Sequence, residues 1–287
     1  MPMRPDPLTD KVSFFILGSG RMGSTFLFKV LSQHSQIGLT NEARIVDALH
    51  IAYNAVVTPY GTANELGFMG VVREDIRDSF VPIFLKHMFS ALTEYYTREF
   101  GEEITHYGEK LPGVAAAYEL GLLVPEPRFI VLIRDPRDVV CSFLALQRVE
   151  DPSVLGARSE EFLSQTIEDF ASEWAATYDE ILRLVPNHLL VRYSELMHQP
   201  QVTTRRVLRY LGLSMEEQVL SAMNSERSTD GHGTSRTFTS SMGRFREDLT
   251  EDESRRIMAI CGETWRRIDP VGWDAGQAPS LPASDPR

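Results

Sequence analysis

The stretch VSFFILGSGRMGSTFLFKV, residues 12–30, decides the fold of this chain. Its first six residues, Val12–Leu17, are mostly apolar, which is typical of a buried strand in a parallel sheet. A glycine-rich turn follows at residues 18–23, and Ser24 and Thr25 open an apolar run that predicts a helix. A strand, a glycine-rich loop and a helix in this order turn backbone N–H groups toward an anion at the helix N-terminus.

The loop nearly fits the phosphate-binding pattern G-x-x-x-x-G-K-[ST]. Gly18 and Gly23 stand at the two glycine positions and Thr25 at the final hydroxyl, but Ser24 replaces the lysine. Since that lysine neutralises the β- and γ-phosphates of a nucleotide, its absence disfavours ordinary ATP or GTP hydrolysis. Arg21 offers a forked cation inside the loop instead, which suits paired phosphate or sulfate oxygens. The alternative is a glycine turn of another α/β protein that binds no anion.

The composition predicts one large domain and disfavours several functional classes. The 287 residues can bury a large core, and 29 basic against 40 acidic residues give a net charge of -11, which disfavours nucleic acid as a general partner. Two cysteines, Cys141 and Cys261, predict neither a zinc site nor a disulfide framework and fit a reducing cytoplasm. We expect no membrane span, because no run reaches about 18 apolar residues, and no secretory signal, because residues 1–10 are polar and contain proline without an apolar run. The expected domain covers residues 11–273, between flexible tails at 1–10 and 274–287.

The second informative stretch is RFIVLIRDPRDVVCSF, residues 128–143. It predicts a buried strand that ends at Arg134, followed by a helix that carries Ser142 about two turns later. Both side chains can therefore reach one phosphate. Asp138 is expected to cap this helix or to pair with Arg137. A purely structural cluster of salt bridges is the alternative interpretation.

Two further side chains are candidates for chemistry. Glu42 follows a short apolar strand at residues 37–39, so it emerges at a strand's carboxyl end, where ligands bind in open α/β sheets. A carboxylate that complements a helix dipole is the alternative. Lys110 precedes Pro112, which favours a new helix, so Lys110 is expected in a loop at the mouth of the sheet; a solvated surface charge is the alternative. His106 is a possible acid or base.

The remaining segments are predicted from periodicity and capping signals. Residues 45–100 follow a largely helical pattern, and an insertion between early strands is a natural place for a cap over the substrate. The later segments are an irregular stretch at 145–159, an amphipathic helix at 163–185, a strand at 189–193, a helix at 203–211 with Gly212 as its C-cap, and a helix that Thr250 and Glu253 begin as a capping box.

Taken in order, these motifs resemble those of sulfotransferases that use 3′-phosphoadenosine 5′-phosphosulfate (PAPS). Residues 18–25 resemble the loop that grips the 5′-phosphosulfate, and residues 134–138 with Ser142 resemble the element that grips the 3′-phosphate. Residues 190–196 resemble the family's later strand and helix, and the resemblance extends over roughly residues 12–268. It implies an α/β domain with a central parallel sheet flanked by helices, a P-loop-like nucleotide-binding core and a helical cap at about 45–105.

Within the family, the chain resembles tyrosylprotein sulfotransferases and related bacterial enzymes more than the cytosolic small-molecule branch. Their glutamate base in an E-x-R context matches Glu42 and Arg44, and their lysine in a K-x-P context matches Lys110. The cytosolic branch instead uses a histidine base and a lysine inside the loop, where this chain has Ser24 or Arg21.

The resemblance implies transfer of a sulfuryl group from PAPS to an acceptor hydroxyl, with Glu42, Lys110 and Arg21 as catalytic residues and no required metal. The expected acceptor is a small molecule or natural product. A kinase or NTPase, and a nucleotide-binding protein without catalysis, remain the alternatives. The residues implied in binding the donor are Ser19, Gly20, Arg21, Met22, Gly23, Ser24, Thr25, Arg134, Ser142, Tyr193 and Arg244, with Arg236 as a further candidate.

Overall fold

Strands and helices alternate along the chain in the computed structural model, which describes residues 11–43, 45, 48, 51, 74–111, 126–150, 160–185, 187–225 and 241–277. The strands are β1 (Val12–Leu17), β2 (Ile37–Asn41), β3 (His106–Lys110), β4 (Arg128–Ile133) and β5 (Leu189–Arg192). The helices are α1 (Ser24–Leu31), α2 (Glu74–Phe100), α3 (Pro136–Glu150), α4 (Glu160–Leu184), α5 (Tyr193–His198), α6 (Pro200–Leu211), α7 (Glu217–Ser225), α8 (Phe245–Asp248), α9 (Glu251–Ile268) and α10 (Pro270–Gln277).

The five strands form one parallel sheet in the order β2-β3-β1-β4-β5. β1 is the central strand, and it pairs with β3 on one side and with β4 on the other. Its buried residues include Phe14 and Ile16, as expected for an inner strand covered on both faces. The predicted central parallel sheet flanked by helices is confirmed.

The flanking helices pack in two groups. Helix α7 contacts both α1 and α6, and α3, α4 and α9 form the second group. The predicted amphipathic pattern of α4 is confirmed, because Trp174 and Tyr178 are buried in the main core. The predicted caps are also confirmed: Gly212 ends α6 with a left-handed φ of 84°, and Thr250 and Glu253 form a capping box at the start of α9.

Lys110 lies in a strand and not in the predicted loop. It is the last residue of β3, where it pairs with Ile16 of β1 and Asn41 of β2. All five residues of this strand, HYGEK, are buried although none is aliphatic. Because hydrophobic periodicity is the main signal of a strand in a sequence, β3 could not be found that way.

Several other boundaries differ from the prediction, and three of them have a bearing on the core or the site. Helix α3 continues through Glu150, into the stretch expected to be irregular, and its Leu144 is buried in the core. Helix α10 continues through Gln277, past the expected start of the tail, because Trp273 packs edge-on against Trp265 with ring centroids 5.8 Å apart. The last predicted strand ends at Arg192, and Tyr193 begins α5.

Of the predicted helical cap at 45–105, the structure describes chiefly α2 and the turn after it. Tyr96 of α2 packs against Tyr107 of β3, with ring centroids 5.2 Å apart, so this helix contacts the sheet. Among the residues described, none of the helices is both long enough and apolar enough to cross a membrane.

Gly108→Ala is expected to destabilise the fold strongly. An added Cβ would lie 2.0 Å from the carbonyl oxygen of Phe14, in the strand that pairs with β3, and neither backbone can shift without breaking the ladder. We expect a loss of at least about 2 kcal/mol in the free energy of unfolding, measured by urea titration.

Gly101→Ala is the control for this prediction. Its added Cβ meets open space, but its φ of +87° is unfavourable for alanine, so the expected loss is about 1 kcal/mol. Equal losses in the two variants would contradict the tight approach of β1 and β3 at Gly108.

Candidate functional site

The carboxyl edge of the sheet gathers most of the side chains that the sequence singles out. Glu42 follows β2 and Lys110 ends β3, whereas Arg134 follows β4 and Tyr193 follows β5. The glycine loop, residues 18–23, follows the central strand and therefore lies between these two groups. The connection after β1 runs to β2 on one side of the sheet, and the connection after the neighbouring β4 runs to β5 on the other; ligands of open α/β folds bind at such a switch point.

The glycine loop packs too closely on aromatic rings to carry larger residues at two positions. An added Cβ at Gly20 would lie 2.7 Å from the Phe143 ring, and one at Gly23 would lie 2.9 Å from the Tyr193 ring. Gly23 is the N-cap of α1 with a left-handed φ of 79°, and it offers no side chain to the first turn. The first N–H groups of a helix have no acceptor within it, so this turn suits an anion.

Two loop residues that the sequence assigned to donor binding have inward-facing side chains. Ser19 and Met22 are buried, and both contact Tyr178 of α4. The Tyr178 hydroxyl also donates to the Leu132 carbonyl at 2.5 Å, and complete burial raises its pKa. Ser19 and Met22 therefore fix the loop to the core, and only their backbones can serve a bound anion.

The sequence analysis did not identify Tyr178 as a residue of the site. It lies in the apolar stripe of α4, where the helical pattern predicts core packing. A hydroxyl in such a stripe needs a buried partner, which is the one signal that could have singled it out.

Four residues predicted to bind the donor meet beside the loop. Arg21 donates from Nε to Ser142 Oγ at 3.0 Å, and Arg134 donates to the Arg21 carbonyl at 2.9 Å. Arg134 also donates to the Ser241 carbonyl, and its guanidinium lies 4.5 Å from the centroid of the Tyr193 ring. The Tyr193 hydroxyl is 2.7 Å from Ser241 Oγ. We call these five residues the arginine cluster.

The arginine cluster has spare capacity for an anion. Arg134 Nε is buried and has no hydrogen-bond partner among the residues that the structure describes. Ser241 was missed because it ends a Ser/Thr-rich stretch with no hydrophobic period, so only its place in the fold reveals it. Arg134 follows β4 and Ser142 lies two turns into α3, and each contacts Arg21.

The charged residues around α3 pair differently from the prediction. Arg137 donates to both oxygens of Asp135, at 3.0 and 2.7 Å. Asp138, expected to cap the helix or pair with Arg137, instead accepts the backbone N–H groups of Gly243 and of Phe245, the first residue of α8. Arg244 forms an ion pair with Asp248 at 2.6 Å, one turn further along the chain. Arg44 and Arg236 lie outside the described residues.

On the other side of the loop, Lys110 Nζ contacts the Oε1 atom of Glu42. The Lys110 side chain is 6% exposed, whereas that of Glu42 is 50% exposed, so the pair joins a buried cation to an accessible carboxylate. The Glu42 N–H also donates to the Lys110 carbonyl at 3.0 Å. The two residues were predicted at one edge of the sheet, but not in contact.

Backbone strain occurs at two of the three predicted catalytic residues. Glu42 has a φ of 50° and Arg21 a φ of 67°, both in the left-handed region. For residues other than glycine this conformation costs about 1–2 kcal/mol, and such strain is concentrated at functional sites.

His106, the possible alternative base, lies at the other end of the site's own strand. It begins β3, about 13 Å from Lys110 at the usual rise per residue. One ring nitrogen is 2.8 Å from the Leu211 carbonyl and the other is 2.8 Å from Thr105 Oγ1. Burial lowers the pKa of the His106 imidazole. The histidine is thus a structural link between the sheet and α6.

Three solved structures share this fold at low sequence identity. The sulfotransferase domain of the Synechococcus PCC 7002 olefin synthase is 17% identical, with 98% of this chain and 99% of that chain covered and a TM-score of 0.57. The sulfotransferase domain from the curacin biosynthetic pathway is 18% identical, with 95% of this chain and 99% of that chain covered and a TM-score of 0.50. Mouse sulfotransferase SULT7A1 complexed with PAP is 12% identical, with 93% of this chain and 89% of that chain covered and a TM-score of 0.52.

No curated protein matches this chain in sequence. A family model described as the sulfotransferase family, however, matches residues 13–217, which run from β1 to the start of α7. That range contains the glycine loop, the Glu42–Lys110 pair and all of the arginine cluster except Ser241. The chain therefore belongs to the sulfotransferase family.

Proposed function

We propose that this sulfotransferase moves a sulfuryl group from PAPS to the hydroxyl of a small molecule or natural product. One observation carries the proposal: the Glu42–Lys110 pair and the arginine cluster lie on opposite sides of the glycine loop, at one edge of the sheet. A carboxylate on one side and cations on the other are what proton removal and binding of a phosphorylated donor require.

The donor's 5′ end is assigned to the glycine loop and the first turn of α1. Backbone N–H groups of residues 19–25, with the hydroxyls of Ser24 and Thr25, offer hydrogen bonds to its phosphate. Gly20 and Gly23 support this fit, since the absence of a Cβ lets the Phe143 and Tyr193 rings pack directly against the loop and hold its backbone in place. Arg21, held to Ser142, adds a cation near the bridging oxygen.

The donor's 3′-phosphate is assigned to Arg134, Ser142 and Tyr193 of the arginine cluster. The Nε of Arg134, which has no acceptor in the described part of the chain, supports this assignment, because a buried guanidinium N–H calls for an acceptor. Ser142 contributes a hydroxyl, and Tyr193 lines the same end of the site. Arg244 is a further candidate. Its side chain forms an ion pair with Asp248 and would have to turn away from it to reach the ligand. These contacts would distinguish PAPS from ATP, which has no 3′-phosphate.

The catalytic step is assigned to Glu42 and Lys110. The acceptor oxygen bonds to sulfur as the bond from sulfur to the 5′-phosphate oxygen breaks, and Glu42 takes the acceptor's proton. When bound, PAPS supplies the sulfuryl group and is released as the 3′,5′-bisphosphate, PAP. Lys110, buried against Glu42, stabilises negative charge on the sulfuryl and bridging oxygens, so catalysis is mainly positioning and electrostatics.

The acceptor is assigned to the side of Glu42. The chain leaves the sheet at Glu42 and returns at β3, so the insertion between them begins at the edge that carries the base. This supports the proposal that residues 45–105 shape the acceptor site. A screen of hydroxyl compounds with PAPS would identify the chemical class.

PAP is expected to bind more tightly than ATP, whether magnesium is present or not. ATP has no 3′-phosphate for the arginine cluster to bind. In addition, the loop has Ser24 in place of the P-loop lysine that neutralises the phosphates of ATP. Isothermal titration of the protein with PAP, ATP and ATP–magnesium measures this directly. Tighter binding of ATP–magnesium would favour a kinase and would overturn the donor assignment.

Glu42→Gln is expected to lower kcat by about 10²–10⁴ while PAP binding stays unchanged, because the amide cannot accept the proton. Initial-rate kinetics with an accepted hydroxyl compound and calorimetry with PAP give the two readouts. Glu216→Gln is the matched control, since that carboxylate contacts Ser35 just before β2, at the other edge of the sheet. A fall of less than about threefold in kcat for Glu42→Gln would exclude it as the base.

Arg134→Ala is expected to weaken PAP binding about 10–100-fold and binding of adenosine 5′-phosphosulfate far less. The second ligand lacks the 3′-phosphate, so it loses no charge-assisted hydrogen bond. Arg128→Ala, at the other end of β4, is the control, because its guanidinium donates to the Tyr210 carbonyl at 2.8 Å. Equal losses for both ligands would mean that Arg134 only supports the fold.

A further inference from the structure

Asp138 is a buried carboxylate that the proposed chemistry does not use. It is the third residue of α3 and is 3% exposed. One of its oxygens accepts the N–H of Gly243 at 2.7 Å and the other accepts the N–H of Phe245 at 3.2 Å. Both donors belong to a segment more than 100 residues later in the chain, residues 241–245, which we call the docked segment.

The docked segment is also held by the arginine cluster. Arg134 donates to the Ser241 carbonyl, and the Tyr193 hydroxyl lies 2.7 Å from Ser241 Oγ. At its other end, the Phe245 ring lies 3.8 Å from the Arg137 guanidinium. The segment thus spans from the Arg134 guanidinium to the first turn of α3, and Asp138 binds it between these two contacts.

The backbone of the docked segment is shaped for this carboxylate. Gly243 has a left-handed φ of 70°, a conformation that favours glycine. Two N–H groups of the same turn, from Gly243 and Phe245, meet the two oxygens of one side chain. Such concave arrangements of backbone N–H groups bind anions, and here the anion is part of the protein.

We infer that Asp138 is a positioning residue for the sulfuryl donor, which fixes the docked segment so that Arg134 faces the donor's 3′-phosphate. This rests on the proposed function. If the segment moves, Arg134 loses its carbonyl acceptor at Ser241 and is free to leave its place over the Tyr193 ring. Asp138 does not touch the reacting atoms. It therefore affects binding of the donor and takes no part in the proton transfer to Glu42.

The charges that face Asp138 agree with this role. Burial raises the pKa of the carboxyl and the neighbouring Asp135 raises it further, while Arg134 and the N–H groups of Gly243 and Phe245 oppose the shift. Without the docked segment the carboxylate would lose two of these three favourable partners. The docked segment therefore stabilises the buried carboxylate, and the carboxylate holds the segment in place.

The test is Asp138→Asn, which keeps the shape of the side chain but replaces one acceptor oxygen with an NH2 donor. Amide hydrogen exchange of a peptide covering residues 241–248 should accelerate about tenfold, because one of the two N–H groups loses its acceptor. The KM for PAPS should rise about tenfold, and kcat should change by less than about threefold. Asp138→Glu keeps both carboxylate oxygens, so its exchange rate and its KM for PAPS should lie between those of Asp138→Asn and of the unmodified protein.

Asp179→Asn is the matched control. Asp179 also joins two elements, since it accepts from Thr264 of α9 at 3.1 Å and from Arg267 at 3.0 Å, but it lies on α4 away from the docked segment. It should leave the KM for PAPS and the exchange of residues 241–248 unchanged. A rise in KM in this control equal to that of Asp138→Asn would make the effect one of general stability and would overturn the inference.

The outcomes separate this inference from the proposed function. Failure of the unmodified protein to bind PAP overturns the proposed function. Where PAP binds, unchanged exchange or an unchanged KM in Asp138→Asn overturns the positioning role alone. If neither Asp138 variant folds, PAP added to the unmodified protein must slow exchange of residues 241–248 more than that of α9, and an equal effect on both would overturn the inference.

Discussion

Parallel pairing of β1 with β3 on one side and β4 on the other is the constraint on which the site depends. It brings every strand's carboxyl end to one edge, and its register sets Lys110 beside Ile16 and Val131 beside Leu17. The glycine loop must then leave the sheet between a carboxylate–lysine pair and a group of cations. Neither group could be moved to the other side without breaking the strand order, so the site is a property of the topology.

Rigid support from the core lets this edge hold unfavourable conformations. Arg21 and Glu42 have left-handed backbones, and the buried Tyr178 hydroxyl ties the loop to β4 from below. The loop's side chains accordingly divide into two kinds. Ser19 and Met22 face the protein and hold the backbone, whereas Arg21 reaches sideways to Ser142. A loop fixed in this way does not have to be ordered when a ligand arrives, which reduces the entropic cost of binding.

An acidic protein can still carry a site for a polyanion, because net charge and local charge are separate properties. The chain has a net charge of -11, yet Arg21, Arg134 and Lys110 lie at one edge of the sheet. Two of them, Arg134 and Lys110, are buried, where a cation is screened less by water and salt. The negative net charge therefore does not weaken the case for a single nucleotide at this edge.

The sequence by itself determined the parts of the protein whose signals are local. The β1–loop–α1 unit, Glu42 after a strand, Arg134 and Ser142 around one turn, the stripe of α4 and the caps at Gly212 and Thr250 all follow from short-range patterns of glycine, capping residues and apolar spacing. Tertiary structure alone decided the rest. β3 contains no aliphatic residue, and only its pairing with β1 and β2 identifies it as a strand. The contact of Glu42 with Lys110, the inward turn of Ser19 and Met22, and the binding of Gly243 by Asp138 each join residues far apart in the chain, and no local pattern encodes which distant partner a buried polar group will meet.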